Sequence, residues 1–324
     1  MSDSTALVPV PVLENSAVTT AASQAEHYFR ASQAENTRRA YAADWRHFLG
    51  WCKAAGRGSL PAVPETLVLY LSALAQTAKT STLTRRVSAI SQAHQASGFE
   101  SPTQQLAVRK VMAGIRREKG TAQIGKKPIV TEDLRAMVAT LKGKRILDVR
   151  DRALLLMGFA GAFRRSELVG LNVDDIEINR EGLVVTLRHS KTDPEGQGRR
   201  VGIPYGSTPA TCPIRALLSW LEILGADQGP LFRKINRHQQ IGGKRLTSQS
   251  VALVVKRAAA AAGLDAKQIA GHSLRAGLAT AAAAAGVPER AIMAQTGHRS
   301  LTTLRKYIRE GSLFLENAAA KVGL

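Results

Sequence analysis

Apolar residues recur at helical spacing along nearly all of this chain, and only over residues 176–204 does the spacing shorten to two. A period of 3.6 buries one stripe of a helix, whereas a period of two buries one face of a strand. The chain is therefore expected to be mainly α, with a small antiparallel sheet in its second half.

Tyr41, Trp45, Phe48, Leu49 and Cys52 fall at i, i+4, i+7, i+8 and i+11, one stripe that Gly56 and Gly58 bring to an end. Pro64 opens a second helix bearing Leu67, Leu71 and Leu74. Leu83, Val87 and Ile90 mark a third, and Leu106, Val108, Val111, Met112 and Ile115 mark a fourth over 103–117. Residues 119–128 contain Gly, Lys and Pro but no stripe, and read as a linker. Beyond them Thr131 is expected to cap a helix carrying Leu134, Met137, Val138 and Leu141. Another helix runs through 154–157 and stops near Gly161. Ile176 and Ile178 alternate, Arg180-Glu181-Gly182 turns the chain, and Leu183, Val185 and Leu187 alternate again. Residues 200–204 give a third strand after a hairpin tip around 193–198. After Pro213 the pattern is helical almost to the end, with stops at Gly263 and Gly286 and caps at Thr247, Ser273 and Ser300. The expected organisation is a flexible arm over 1–22, an all-helical domain over 23–118, a linker over 119–128, and a mostly α domain over 129–324 whose last residues, 312–324, form an apolar tail.

Charge constrains the partner. The 45 Lys and Arg against 25 Asp and Glu leave +20. Residues 1–126 carry 15 basic and 8 acidic side chains and the remainder 30 and 17, so the two parts stand at +7 and +13. Basic side chains spread over both parts fit a polyanion, because phosphates that pair with Lys and Arg release counterions. Cys52 and Cys212 match no metal spacing and suit a reduced, intracellular protein. The first apolar stretch, residues 8–13, is short and broken by prolines, and the Ala-rich run 279–285 is too short to span a bilayer. A cytoplasmic protein with no membrane partner is expected.

Five short stretches carry candidate chemistry: GAFRRSEL at 161–168, RHSKT at 188–192, GHSLRAG at 271–277, Gly297-His298, and LRKYIR at 304–309. Each alone has an ordinary explanation. Arg164 and Glu167 at i, i+3 suit a surface ion pair, Lys191 a solvated turn, and Tyr307 a packed ring with a wet hydroxyl. Their joint chemistry is more specific. A phosphodiester attacked by an oxygen gains negative charge, which two guanidiniums such as Arg164 and Arg275 neutralise bidentately without a metal. A phenol with a pKa near ~10 needs a base or adjacent positive charge to act as a nucleophile. His272 could take that proton, His298 could hydrogen-bond the phosphate, and Lys191 could protonate the leaving oxygen. No DxD or HExxH pattern accompanies them.

Taken in this order, the set resembles the tyrosine recombinase, or phage integrase, family and within it the Cre-like recombinases, over about residues 25–320. The family's Arg-x-x-Glu-Leu register selects Arg164 over the neighbouring Arg165, its hairpin lysine falls on Lys191, and its His-x-x-Arg box falls on His272 and Arg275. Its Gly-His pair falls on His298 and its nucleophile on Tyr307, while Glu167 takes the place of a supporting acidic residue. The resemblance implies a SAM-like core-binding domain followed by a catalytic domain. It implies cleavage through a 3′-phosphotyrosyl link with no metal, cofactor or ATP, on double-stranded DNA bearing an inverted-repeat site. It further implies four protomers that exchange strands through a Holliday junction, with the tail over 312–324 docked on a neighbour or, alternatively, on its own chain. Thr37, Arg38 and Arg39 on one helix, Thr82, Arg85 and Arg86 on another, and Gln249 in the second domain are the expected DNA contacts, with solvated helix faces as the plain alternative. Two rival readings share much of this pattern: a DNA-binding protein without catalysis, and a type IB topoisomerase-like enzyme.

Overall fold

The computed structural model describes residues 16–122, 125–188, 190, 193, 195–311 and 322. The chain divides into two compact units, Met1–Gln123 and Ile124–Leu324.

The first unit is helical: α1 (Ser16–Ala31), α2 (Glu35–Ala54), α3 (Pro64–Ala75), α4 (Thr80–Ala96) and α5 (Leu106–Lys119). The stripes expected from the sequence meet in one core of Phe48, Cys52, Leu67, Tyr70, Leu71, Leu83, Ile90, Val108, Met112 and Ile115. Leu49 stays exposed at the edge of its stripe. Buried His94 is satisfied on both ring nitrogens, by the Ala62 N–H at Nε2 and the Ile90 carbonyl at Nδ1. Helix α1 already begins at Ser16, so the later residues of the segment read as an arm are helical, although exposed from Val18 onward.

The second unit holds α6 (Thr131–Ala139), α7 (Ile146–Ala160), α8 (Arg165–Gly170), α9 (Pro213–Leu224), α10 (Ser248–Ala261), α11 (Ser273–Ala284), α12 (Glu289–Thr296) and α13 (Leu301–Gly311). Strands β1 (Ile176–Ile178), β2 (Gly182–Leu187) and β3 (Arg199–Pro204) form an antiparallel sheet in the order β1-β2-β3. Val185 pairs with Ile176 on one side and Val201 on the other, so Leu183, Val185, Leu187, Val201 and Ile203 put one face into the core. Trp220, fully buried on α9, donates its indole N–H to the Leu231 carbonyl at 2.8 Å. Buried Asp151 accepts both Arg150, which also reaches the Arg233 carbonyl at 3.1 Å, and Arg257, and so fastens α7 to α10.

Three local expectations are corrected. A second hairpin, β4 (Arg233–Ile235) with β5 (Ile241–Arg245), interrupts the stretch read as helical after Pro213. Asn236 drives that turn: its Oδ1 accepts the backbone N–H groups of His238 and Gln240, and Gln239 takes a left-handed φ of 61°. Thr131 is the first helical residue of α6 and Val130 its cap, with no side-chain cap bond. Ser273 likewise begins α11 behind His272, its hydroxyl engaged instead by the Ala270 N–H at 3.0 Å. Thr247 does cap α10, accepting the Ser250 N–H.

Helix α11 packs backbone-close against the segment entering α6, where the Ile129 N–H donates to the Ser273 carbonyl at 3.0 Å. A Cβ on Gly277 would stand 1.7 Å from the Ile129 carbonyl oxygen. In a free helix Gly→Ala gains about 1 kcal/mol. Here Gly277→Ala should instead lower unfolding free energy by roughly 2–4 kcal/mol, because backbone must move to relieve the overlap. Urea denaturation of the full chain reads the change, and a neutral or stabilising result would refute the close approach.

Candidate active site

Helix α7 ends at Gly161, and the chain passes through Ala162, whose φ of 48° is left-handed, to Arg164 at the N-cap of α8. No hydroxyl caps this helix. Glu167 reaches back and accepts the Arg164 backbone N–H at 2.8 Å and its guanidinium Nη1 at 2.5 Å. Ser190 Oγ donates to the same carboxylate at 2.7 Å and lies 3.0 Å from Arg164 Nη1. Burial works to raise the Glu167 pKa, but these bonds and the adjacent guanidinium hold it below the ordinary carboxylate value. Neighbouring Arg165 takes a different place, its aliphatic stem against Gly271, where a Cβ would stand 2.3 Å from Arg165 Cδ.

Arg275, on the first turn of α11, is 1% exposed and donates Nη1 to the Ala162 carbonyl at 2.7 Å. Its Nε and Nη2 are buried without a hydrogen-bond partner. Loss of water, then the charge of Arg164, pulls its pKa down to about 10, which still leaves it protonated at neutral pH.

Tyr307 projects from α13 onto a small cluster of Ala279, Ala283, Ile292 and Leu304. Its hydroxyl lies 3.2 Å from His272 Nε2, and its ring centroid lies 5.8 Å from that of His298. Packing behind the His272 ring lowers its pKa, and Arg275, Arg164 and Arg165 push the same way. The residue is exposed at its outer edge, so the guanidiniums are the firmer cause. A neutral imidazole can accept a proton from the phenol. His298 follows Gly297, the left-handed residue that ends α12. Its Nδ1 lies 2.7 Å from Thr296 Oγ1, which itself donates to the Ile292 carbonyl. The hydroxyl proton is thereby committed, so Nδ1 is the protonated nitrogen and Nε2 carries the lone pair. Burial, then Arg275, Arg164, His272 and Arg199, takes the His298 pKa down to about 4.

Six of the seven expected catalytic positions are described. Arg164, Glu167, His272, Arg275, His298 and Tyr307 converge through hydrogen bonds, ring contacts and mutual charge, while Lys191 lies outside the described residues. The tail over 312–324 is likewise outside them, apart from exposed Val322. In the first unit Thr37, Arg38 and Arg39 are exposed on the first turn of α2, and Thr82 is half-buried on α4. Arg85 and Arg86 are drawn to a buried carboxylate the sequence reading passed over. Arg85 grips Asp44 at 2.6 and 3.0 Å, and Arg86 stands 3.7 Å from Asp44 and 3.3 Å from the Tyr70 hydroxyl. Arg85 remains half exposed, but Arg86 is turned largely inward. Gln249 is exposed at the start of α10. Also missed was Arg199, which no short motif announces and which packs beside His298. The described residues contain no cluster of three or more His, Cys, Asp or Glu able to hold a metal, and no helix long and apolar enough to cross a membrane.

Known proteins match along most of the chain. Residues 127–312 match the phage integrase family, and residues 25–97 match the phage integrase N-terminal SAM-like domain. An integrase/recombinase XerD homolog of Selenomonas ruminantium is 43% identical over 298 residues, 91% of this chain and 87% of its own. The tyrosine recombinase XerD of Bifidobacterium longum (strain NCC 2705) is 28% identical over 276 residues, 83% of this chain and 84% of its own. Among solved structures, the XerH site-specific recombinase in a post-cleavage complex with its palindromic difH substrate superposes with a TM-score of 0.62. That match covers 80% of this chain and 72% of the other at 18% identity, a likeness of fold.

The depressed His298 pKa has a definite consequence. Between about 6.5 and about 4 the unfolded chain binds a proton at this imidazole that the folded chain refuses. Stability from this residue is therefore complete above that window and is lost as pH falls through it. His298→Gln should flatten the decline in urea midpoint between pH 6.5 and 4.5 relative to the parent chain. Parallel curves for the two proteins would show that His298 keeps its ordinary titration.

Proposed function

The chain belongs to the phage integrase family of tyrosine recombinases, and on that footing we propose that it cuts and rejoins double-stranded DNA at a specific site with Tyr307 as nucleophile. The observation that carries this reading is the 3.2 Å separation of the Tyr307 hydroxyl from a neutral His272, beside Arg275, whose Nε and Nη2 are buried without a partner. The Tyr307 oxygen attacks the scissile phosphorus as His272 Nε2 takes its proton. The bond to the 5′-oxygen breaks, leaving a 3′-phosphotyrosyl link and a 5′-hydroxyl. Arg164 and Arg275 neutralise the non-bridging oxygens, where a preorganised donor is worth more than in water. Glu167 fixes Arg164 and keeps it from drifting off the phosphate. A phosphate near His298 would raise its pKa and let Nε2 donate. Lys191 delivers the proton to the departing 5′-oxygen. Religation is the same step reversed by a partner strand's 5′-hydroxyl, so the phosphotyrosyl bond stores the energy and neither ATP nor a metal is called for.

Tyr307 packs against its own chain's α11 and α12, which favours cleavage in cis. For the assembly we infer four protomers holding two inverted-repeat sites and exchanging strands through a Holliday junction, in the cytoplasm and on the nucleoid when DNA is bound. Thr37, Arg38, Arg39, Thr82, Arg85 and Gln249 are the contacts we assign to the duplex, with the tail over 312–324 linking neighbours.

A nicked duplex carrying an inverted repeat from the DNA flanking the gene tests the nucleophile. The parent chain should give a protein–DNA adduct on a denaturing gel, and Tyr307→Phe should give none while binding within about threefold, since only one hydroxyl is lost. An adduct that persists in Tyr307→Phe would remove Tyr307 from the reaction. Lys191→Ala should slow adduct formation by about 10²- to 10⁴-fold, the usual worth of a general acid. A 5′-bridging sulfur, which leaves without protonation, should restore most of that rate, and a rate left unrestored would exclude Lys191 as the acid.

A further inference from the structure

Arg199 opens β3, the strand that returns from the connection bearing Lys191 in sequence. Its guanidinium crosses to the end of α12, where Nη1 donates to the carbonyls of Ala294 and Gln295, both at 3.2 Å. These are terminal helix carbonyls with no partner inside their own helix. The guanidinium lies where a side chain on residue 297 would begin. A Cβ there would stand 2.8 Å from Arg199 Cζ and 2.9 Å from Nε. The Gly297 φ of 66° is left-handed and favours glycine in its own right. Arg199, Ser190 and His298 line one cavity of about 230 Å³. Ser190 is the residue that hydrogen-bonds Glu167 and Arg164.

The other end of the guanidinium is unsettled. Nη2 is fully buried and has no hydrogen-bond partner, the same condition as Nε and Nη2 of Arg275. Cationic donors stripped of water and left unpaired are rare in folded proteins and call for a ligand or a strained purpose. Arg199 feels Arg164 and Glu167, and its own charge is felt at Arg275 and His298. Three guanidiniums thus share Glu167, an excess of positive charge that an anion would relieve.

We propose that Arg199 is a third guanidinium of the phosphate pocket, with Nη1 fixing the end of α12, and hence His298, and Nη2 left for the scissile phosphate. The proposal rests on the reading of Tyr307 as nucleophile. The full chain and the nicked duplex test it. Arg199→Met should form the Tyr307 adduct about 10²-fold more slowly, as expected for loss of one preorganised donor, while binding the duplex within about threefold. A methylphosphonate at the scissile position carries no charge, so on it the deficit of Arg199→Met should shrink to below about tenfold. Arg199→Lys, which keeps the charge but lacks the fork, serves if the Met variant melts below the parent, and should lose about tenfold on the ordinary phosphate. An adduct rate in both variants within threefold of the parent would overturn the proposal and leave Tyr307 in place. A deficit of equal size on phosphate and methylphosphonate would also overturn it, reducing Arg199 to a brace for α12. Absence of any adduct from the parent chain would instead strike the underlying reading.

Discussion

Repulsion among closely set cations, one of them fully buried, is the constraint around which the candidate site is arranged. Arg164, Arg275 and Arg199 act on one another and on a single carboxylate, Glu167, which is 3% exposed. Such a group holds together only if the scaffold supplies what water no longer does. The scaffold does so with backbone oxygen: Ala162 for Arg275, and Ala294 with Gln295 for Arg199. Ala162 accepts a left-handed φ that a residue with a Cβ seldom adopts, at the point where its carbonyl meets Arg275. Arg164 is held through the carboxylate and Ser190.

The same constraint explains why glycines punctuate the motifs. Gly277 lets α11 approach the Ile129 carbonyl, which fixes the height of Arg275 against the rest of the unit. Gly271 leaves space for the stem of Arg165, which lies apart from the Arg164–Glu167 pair. Gly297 ends α12 and clears the guanidinium of Arg199. None of these glycines is chemically active, yet each decides where a charged side chain can lie.

These dependencies also mark what could be read from the chain. Helical stripes such as Phe48–Cys52 with Leu67 and Leu71 were legible because burial repeats along one element, and the β1-β2-β3 sheet because its period is two. The candidate set that converges in the second unit was legible because most of its members stand in short motifs with fixed spacing. The β4-β5 hairpin was not, since Arg233-Lys234-Ile235 and the Gly242-Gly243 pair show no alternation and the turn depends on one Asn236 side chain. Capping by Thr131 and Ser273 failed because the chain enters both helices one residue earlier, through Val130 and His272. Asp44 and Arg199 were out of reach for a deeper reason. Their partners lie about forty and about a hundred residues away, and only folding brings an isolated charge to its function.

A cluster with more cationic donors than acceptors is unsatisfied until an anion enters it. In the free protein Arg275 and Arg199 bury donors that nothing accepts, and His298 is held neutral by the charges around it. A phosphate entering such a place gains from every one of these at once, and gains more as charge accumulates on its oxygens during attack. The cost of assembling the cations has been met beforehand by folding of the second unit, in the backbone contacts at Ala162, Ala294 and Ile129. On the proposed reading, what is left for Tyr307 is small: a phenol already within reach of a neutral imidazole needs only a phosphorus atom whose charge has been answered.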